Sequence, residues 1–314
     1  MRVVSLFSGA GGLDLGLVQA GHKIVWANDV FLDAVDTYRK NIGGHVDTRD
    51  ICEIPVADIP ECDVVVGGFP CQGFSVANWE RQINDPRNQL YKHFVRVVRE
   101  KTPKYFIAEN VKGLKSMENG AVLLKILEEF EACGYRVQHT VVNAADYNTP
   151  QSRKRVLIFG VRSDLSHIVN LPPTPTHSDP SLAEKLGLRP WITVGEALAH
   201  FPEPEEGTHI PNHECSKYKL RFNGYLGHRF IKPDKPAPTV TGRGDDRGGV
   251  VVLHHPRNHR RMTVRELAAV QSFPDDFVFS GCKSSAYRQV ANAVPPALGF
   301  AIGKMLLNGM DKTS

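Results

Sequence analysis

Val64-Val65-Val66-Gly67-Gly68-Phe69-Pro70-Cys71-Gln72-Gly73-Phe74-Ser75 is an apolar β-branched run that breaks into two glycines, a proline and a cysteine. Three consecutive valines read as the end of a strand buried on both faces, because a half-exposed strand alternates apolar with polar residues. The glycines release the backbone from the strand, and Pro70 fixes one dihedral just before the thiol. Ligands of open α/β sheets bind beyond the carboxyl ends of the strands, so this is where a reactive cysteine would sit. A lone cysteine is more often a small buried hydrophobe, and the remaining chain has to decide between the two readings.

Upstream, residues 2–7 form a short apolar strand that enters the turn Phe7-Ser8-Gly9-Ala10-Gly11-Gly12, and a helical pattern then runs through Leu13 and Leu17 to a C-capping Gly21. Ile24–Ala27 is a second strand ending at Asn28-Asp29, and Leu32, Val35 and Tyr38 suit the next helix. A third strand leaves no clear pattern, although Asp50-Ile51 closes the polar segment after it. Downstream, Leu90, Phe94, Val97 and Val98 recur at helical spacing. Tyr105–Ala108 is a strand ending at Glu109-Asn110-Val111, a helix through Leu123 and Phe130 stops at Gly134, and strands over 137–142 and 156–161 follow. This alternation predicts an α/β fold with a mostly parallel, doubly wound sheet. Asp29, Asp50, Cys71 and Glu109 all fall at strand ends. Each alone reads as a helix cap, but four at consecutive strand ends read as a site.

The glycine turn after the first strand lets a ligand approach backbone N–H groups closely. Its G-x-G-G spacing departs from the G-x-G-x-x-G of dinucleotide sites, which disfavours an NAD-dependent oxidoreductase. Asp29 is placed to hold ribose hydroxyls and Asp50 to accept from an adenine amino group, so a nucleotide-type cofactor is expected.

The second part of the chain has a different character. Prolines crowd in at 172, 173, 175, 180 and 190, and between Lys217 and Arg261 eleven Lys or Arg face three Asp. Nine of the thirteen histidines lie between His167 and His259. A solvated loop-rich insertion explains such a stretch, but a basic glycine-punctuated module beside an enzyme site also suits nucleic acid, and that reading is preferred. A helix around 264–271 and a last one opened by Pro295-Pro296 return to the character of the first part. The expected organisation is a catalytic domain of residues 1–180 and 290–314, with 181–289 inserted in it.

The 314 residues carry a net charge of only +4 and 41% hydrophobic content, which permits a full-sized core. Six cysteines (52, 62, 71, 133, 215, 282) show no C-x-x-C pair or zinc-like grouping, so neither a disulfide framework nor a metal is expected. The amino terminus enters a strand without a signal-peptide pattern, and no apolar run approaches the ~20 residues of a membrane span. A soluble, cytoplasmic protein is expected.

Six blocks in order now carry a family pattern: Phe7–Gly12, Pro70-Cys71-Gln72, Glu109-Asn110-Val111, Gln151-Ser152-Arg153-Lys154-Arg155, Arg265–Pro274 and Gln289–Pro296. Through them the chain resembles the DNA cytosine-5 methyltransferases of the bacterial restriction-modification type, over nearly its whole length except the basic insertion. The resemblance implies the S-adenosylmethionine-dependent methyltransferase fold, S-adenosyl-L-methionine as methyl donor, and cytosine in double-stranded DNA as acceptor. It implies donor contacts from Phe7, Ser8, Gly9, Gly11, Gly12, Asp29, Val30, Asp50, Ile51, Pro70, Leu90, Asn292 and Val294. Cys71 takes the nucleophile role, Glu109 anchors the base, and Arg153 and Arg155 contact the flipped cytosine. The resemblance makes 181–289 the target-recognition region and hinge, and Gln72, Ser75, Arg221, Arg229, Arg243 and Arg247 are the expected DNA contacts. A monomer is implied, whose cognate restriction endonuclease is a genetic rather than a physical partner. The family usually has glutamate where Asp29 stands, a bulky group at Val30, and glycines at Asn148 and Ala291. An RNA-methylating relative is the alternative; it would carry a Cys-Phe-Thr block that this chain lacks.

The chemistry explains the residue types. Cytosine C5 is a poor nucleophile until a thiolate adds at C6, and a carboxylic acid at N3 and a guanidinium at O2 assist that addition. The target carbons lie within the duplex stack, so the base must leave it, and the polar run 78–88 is expected to close over it.

Overall fold

The structure is a computed structural model that describes residues 1–70, 90–166, 171–204, 209–215, 228–229, 231–241, 252–257 and 260–308. Its centre is a sheet built from β1 (Arg2–Leu6), β2 (Lys23–Asn28), β3 (Val46–Asp47), β4 (Val64–Gly67), β5 (Tyr105–Val111), β6 (Tyr135–Asn143) and β8 (Lys154–Arg162), with Gln151–Ser152 as a separate short strand β7. The order is β3-β2-β1-β4-β5-β8-β6. The first five strands run parallel, whereas β8 is antiparallel to both β5 and β6. The mostly parallel sheet agrees with the sequence reading; the reversed β8 between β5 and β6 is an addition to it. Periodicity reports whether a strand is buried, not which way it runs.

The β-branched runs are buried because helices cover both faces. Val3, Val4, Val64, Val65 and Val66 have no exposed surface. On one face lie α1 (Gly12–Gln19), α2 (Leu32–Asn41) and the last helix, α9 (Pro296–Asn308); on the other lie α3 (Leu90–Lys101) and α4 (Ala121–Glu131). α9 packs on α1 with close backbone approach, since a methyl group on Gly16 would collide with the Pro296 carbonyl and the Phe300 amide. The carboxyl-terminal helix thus belongs to the first part of the chain, as its composition implied.

Between these parts come α5 (Pro180–Leu186), α6 (Val194–Ala197), α7 (Val264–Val270) and α8 (Lys283–Asn292), with two-residue strands. A third core gathers Val194, Ile231, Val240, Leu267, Phe273 and Tyr287. Ala10, from the glycine turn, is buried in the same core, so α7 and α8 adjoin that turn. The domain boundary expected at 289/290 falls inside α8. α7 opens with a reciprocal capping box in which Thr263 and Glu266 satisfy each other's backbone N–H. Arg265, with no exposed surface, donates to the carbonyls of Pro211, Pro274 and Phe277 and so ties two loop segments to its helix.

Residues 283–308 together are long and apolar enough to cross a bilayer, contrary to the sequence expectation that no such run exists. They form two helices interrupted at Ala293, whose backbone is extended, and Leu298, Ile302 and Leu306 are completely buried in the core. This is the pattern of core helices in a globular protein.

Candidate active site

The carboxyl ends of β1, β2, β4 and β5 converge on one edge of the sheet. After β1, Phe7 (φ 55°), Gly9 (φ 55°) and Gly11 (φ 87°) adopt the left-handed region, which turns the chain sharply into α1. Gly9 N–H donates to Asp29 Oδ2 at 2.8 Å, and Ser8 N–H to the Asn28 carbonyl at 3.0 Å, so the turn is fastened to the end of β2. Gly11 and Gly12 are required by packing as well as by the turn. A methyl group would strike Ile42 and Tyr38 at the first and the Val294 carbonyl at the second.

Asp29 also accepts from Phe31 N–H at 2.8 Å, and burial pushes its carboxyl above the ordinary carboxylate range. Val30 beside it is 59% exposed. Asp50 is exposed and accepts from Cys52 N–H at 2.9 Å, the bond that chiefly holds its pKa below the usual value. Ile51 points into the core, and its carbonyl accepts from Arg96 Nη2 at 2.6 Å. Arg96 also reaches the Ile54 carbonyl at 3.1 Å, so α3 braces the loop that carries Asp50. Leu90 begins α3; Asn292, exposed, ends α8; Val294 lies against Gly12.

At the end of β5, Glu109 Oε1 lies 2.8 Å from Arg155 Nε, and both side chains are nearly buried. Gly68 leaves room for this acid, since a methyl group there would stand 3.0 Å from Glu109 Oε2. The neighbouring Asn110 donates from Nδ2 to the Phe69 carbonyl at 3.0 Å, while its Oδ1 accepts from Val111 N–H at 2.8 Å. Phe69 itself is wedged against Tyr91 and Phe94. The backbone leading to Pro70 is therefore held from both sides. Cys71, Gln72, Ser75, Arg221, Arg243 and Arg247 lie outside the described residues, and Arg229 is seen only as backbone in a short strand with His228.

Arg153 and Arg155 have different surroundings. Arg155 faces Glu109, whereas the Arg153 guanidinium is 2% exposed and donates to the carbonyls of Val240 (2.9 Å) and Ala291 (3.0 Å). Burial, with the Arg155 charge nearby, pulls its pKa below the ordinary arginine range. Among the described residues, no group of three or more His, Cys, Asp or Glu could hold a metal ion.

Arg96 is not among the residues named from the sequence, and Asn110 and Gln151 enter only as members of the family blocks, without roles of their own. Asn110 had a signal, as a polar residue ending a strand that is otherwise buried. Arg96 had none beyond its place on an amphipathic helix, because its partners are 42 and 45 residues away.

The sequence and the fold have clear counterparts among known proteins. A model of the C-5 cytosine-specific DNA methylases matches residues 1–308. The type II methyltransferase M.NgoFVII of Neisseria gonorrhoeae is 40% identical, with 98% of this chain and 86% of the relative covered. M1.HphI of Haemophilus parahaemolyticus is 38% identical, with 98% and 87% covered. Among solved structures, the Schizosaccharomyces pombe Dnmt2 methyltransferase superposes with a TM-score of 0.72 at 21% identity, over 98% of this chain and 99% of its own, and so matches in fold. With its glycine turn, its strand-end acids and a family match from the first residue to the end of α9, the chain belongs to the C-5 cytosine-specific DNA methylases.

Proposed function

We propose that this enzyme transfers a methyl group from S-adenosyl-L-methionine to C5 of a flipped-out cytosine in a specific double-stranded DNA sequence, through a covalent bond between Cys71 Sγ and C6. The observation that carries this reading is the buried Glu109–Arg155 pair, set beside the Gly68–Pro70 turn that leads into Cys71.

The residues at the strand ends suit the donor. The glycine turn offers close backbone approach, Asp29 lies at the end of β2 for ribose hydroxyls, and the exposed Asp50 carboxylate is an acceptor for an amino group. The exposed side chain of Val30 offers an apolar face for the adenine ring. When bound, the donor supplies an electrophilic methyl on a sulfonium centre. Pro70, Leu90, Asn292 and Val294 complete the proposed pocket.

The protein's own groups do the rest. Cys71 thiolate adds to C6 and shifts electron density to C5, which takes the methyl group as the S–CH3 bond breaks and S-adenosyl-L-homocysteine leaves as the neutral thioether. Glu109 pairs with the N3 and amino edge of the ring, while Arg155 fixes the carboxyl group and faces O2. Water takes the C5 proton, and the electron pair of that C–H bond expels the thiolate and restores the aromatic ring. Basic residues between 217 and 261 supply phosphate affinity and base-edge contacts. In the cell the enzyme acts as a cytoplasmic monomer on chromosomal DNA, protecting it from a cognate restriction endonuclease.

A duplex carrying 5-fluorocytosine tests the covalent step, because fluorine at C5 blocks the final proton loss. The unsubstituted chain with donor should form a denaturation-resistant adduct and Cys71→Ala none, while Cys71→Ala still binds DNA. Normal methyl transfer by Cys71→Ala would overturn the mechanism. Bisulfite sequencing of DNA from expressing cells identifies the modified base and its context.

A further inference from the structure

Val240 has both of its main-chain groups held by a single short block of sequence. Its N–H donates to Gln151 Oε1 at 3.0 Å, and its carbonyl accepts from Arg153 Nη1 at 2.9 Å. Neighbouring bonds join the same two segments: Ala237 N–H donates to the Pro150 carbonyl at 2.9 Å, and Thr239 Oγ1 to the Ser152 carbonyl at 2.9 Å. Ala237–Pro238 pairs in parallel with Gln151–Ser152. Behind this seam, Gln151 Nε2 donates to Gln271 Oε1 at 2.9 Å, and Gln271 Nε2 to the Val290 carbonyl at 2.6 Å. Gln151, Gln271 and Val240 are completely buried.

Burying a guanidinium without a carboxylate bonded to it is costly, and an alkyl side chain would fill the same space more cheaply. Arginine has one property that an alkyl chain lacks, a rigid fork of donors able to hold carbonyls from separate segments. Here the fork joins Val240, 87 residues away, to Ala291, 138 residues away. Two residues further along the same block, Arg155 meets Glu109. Two residues beyond Val240, the glycine- and arginine-rich stretch Gly242-Arg243-Gly244 begins.

We propose that Gln151 and Arg153 form a clamp through which the seating of the target-recognition region sets the base-anchoring pair, making Arg153 a positioning residue for sequence discrimination and not a contact to the cytosine. The inference rests on the reading of the basic stretch as the DNA-reading part of a cytosine-5 methyltransferase. A duplex that seats this stretch correctly holds Val240 in register, and the clamp holds 151–155 with it. A duplex that does not leaves Arg155 poorly set against Glu109, and transfer is slow there even when DNA is bound.

The test uses full-length Gln151→Met and Arg153→Lys, expressed on a plasmid whose methylation is read by bisulfite sequencing. Methionine keeps the volume of Gln151 without its acceptor, and lysine keeps the Arg153 charge but replaces the rigid fork of two nitrogens with a single one. Methylation at the principal target, relative to sites differing by one base pair, should fall about tenfold, the size of a single-base-pair penalty. An equal loss at all sites, or an unchanged ratio, would overturn the proposal and leave a plain structural brace. Should either substitution prevent folding, hydrogen exchange in the unsubstituted chain reads the clamp directly. Residues 237–241 should exchange as slowly as 151–155, and exchange at the rate of an exposed loop would overturn the coupling. Absence of 5-methylcytosine with the unsubstituted chain would instead strike the proposed function.

Discussion

Arg155 Nε stands 2.8 Å from Glu109 Oε1, with only 10% and 11% of the two side chains exposed. Removing one member of such a pair leaves the other charge buried and uncompensated, at a cost of about 3–5 kcal/mol. Glu109→Gln keeps the shape but loses the acid. Methyl transfer measured with labelled donor should fall by about 10²–10⁴, the usual contribution of a positioned acid. Arg155→Met should lose both activity and melting temperature, because it strands the carboxylate. Activity of Glu109→Gln within a few-fold of the unsubstituted chain would remove the acid from the mechanism.

Asn110 makes a separable prediction. Asn110→Asp can still accept from Val111 N–H but cannot donate to the Phe69 carbonyl. The turn before Cys71 loses its tether from β5, and a displacement of about 1 Å at a reacting group can cost about 10²-fold. The expected outcome is a kcat lower by about that factor with the KM for DNA changed less than about threefold. A loss confined to KM would mean that the tether serves DNA binding and not the nucleophile.

How far the sequence disclosed these relationships depends on the range of the interaction. The valine run 64–66 and the glycine turn 9–12 announce themselves locally, because burial on both faces and positive φ dictate residue type on the spot. The two residues of β3 are too few to show any periodicity, and Asp50 after it was found only through its polar neighbourhood. Arg153 and Arg155 are chemically identical and two positions apart. Only the fold shows that one faces Glu109 while the other is used up on Val240 and Ala291. Side-chain bonds that span 87 or 138 residues leave no trace in composition or spacing.

The glycines of the donor turn should separate by mechanism. Gly9 has open space around it but φ 55°, so Gly9→Ala carries backbone strain alone, about 1–2 kcal/mol. Gly12→Ala drives a methyl group into the Val294 carbonyl and pushes α1 away from the segment that carries Asn292. Calorimetric titration with S-adenosylhomocysteine should show a loss of more than about tenfold for Gly12→Ala, together with a lower melting temperature. Gly9→Ala should keep more of its melting temperature but also lose affinity, because its methyl group would occupy the space through which the proposed donor approaches the backbone. Equal losses of melting temperature in the two variants would mean that packing against Val294 is not what the second glycine protects.

Asp14 sits beneath the same turn and should make stability depend on pH in an unusual direction. The carboxyl has no exposed surface and accepts from Ser5 Oγ at 2.7 Å and Tyr38 OH at 2.8 Å. Burial outweighs both bonds and pushes its pKa from 3.8 up to about 6. Below about pH 3.8 the group is protonated in both folded and unfolded chains and has no effect on the balance between them. As pH rises from there to about 6, the unfolded chain releases its proton first, so folding stability falls, by about 3 kcal/mol across the window. Asp14→Asn removes that loss while leaving other titrations in place. The melting temperature of the unsubstituted chain minus that of Asp14→Asn should therefore become more positive as pH is lowered from 7 to about 4.5. A difference that stays flat over this range would show that Asp14 is ionised in the folded protein throughout, with Ser5 and Tyr38 sufficient to hold its charge.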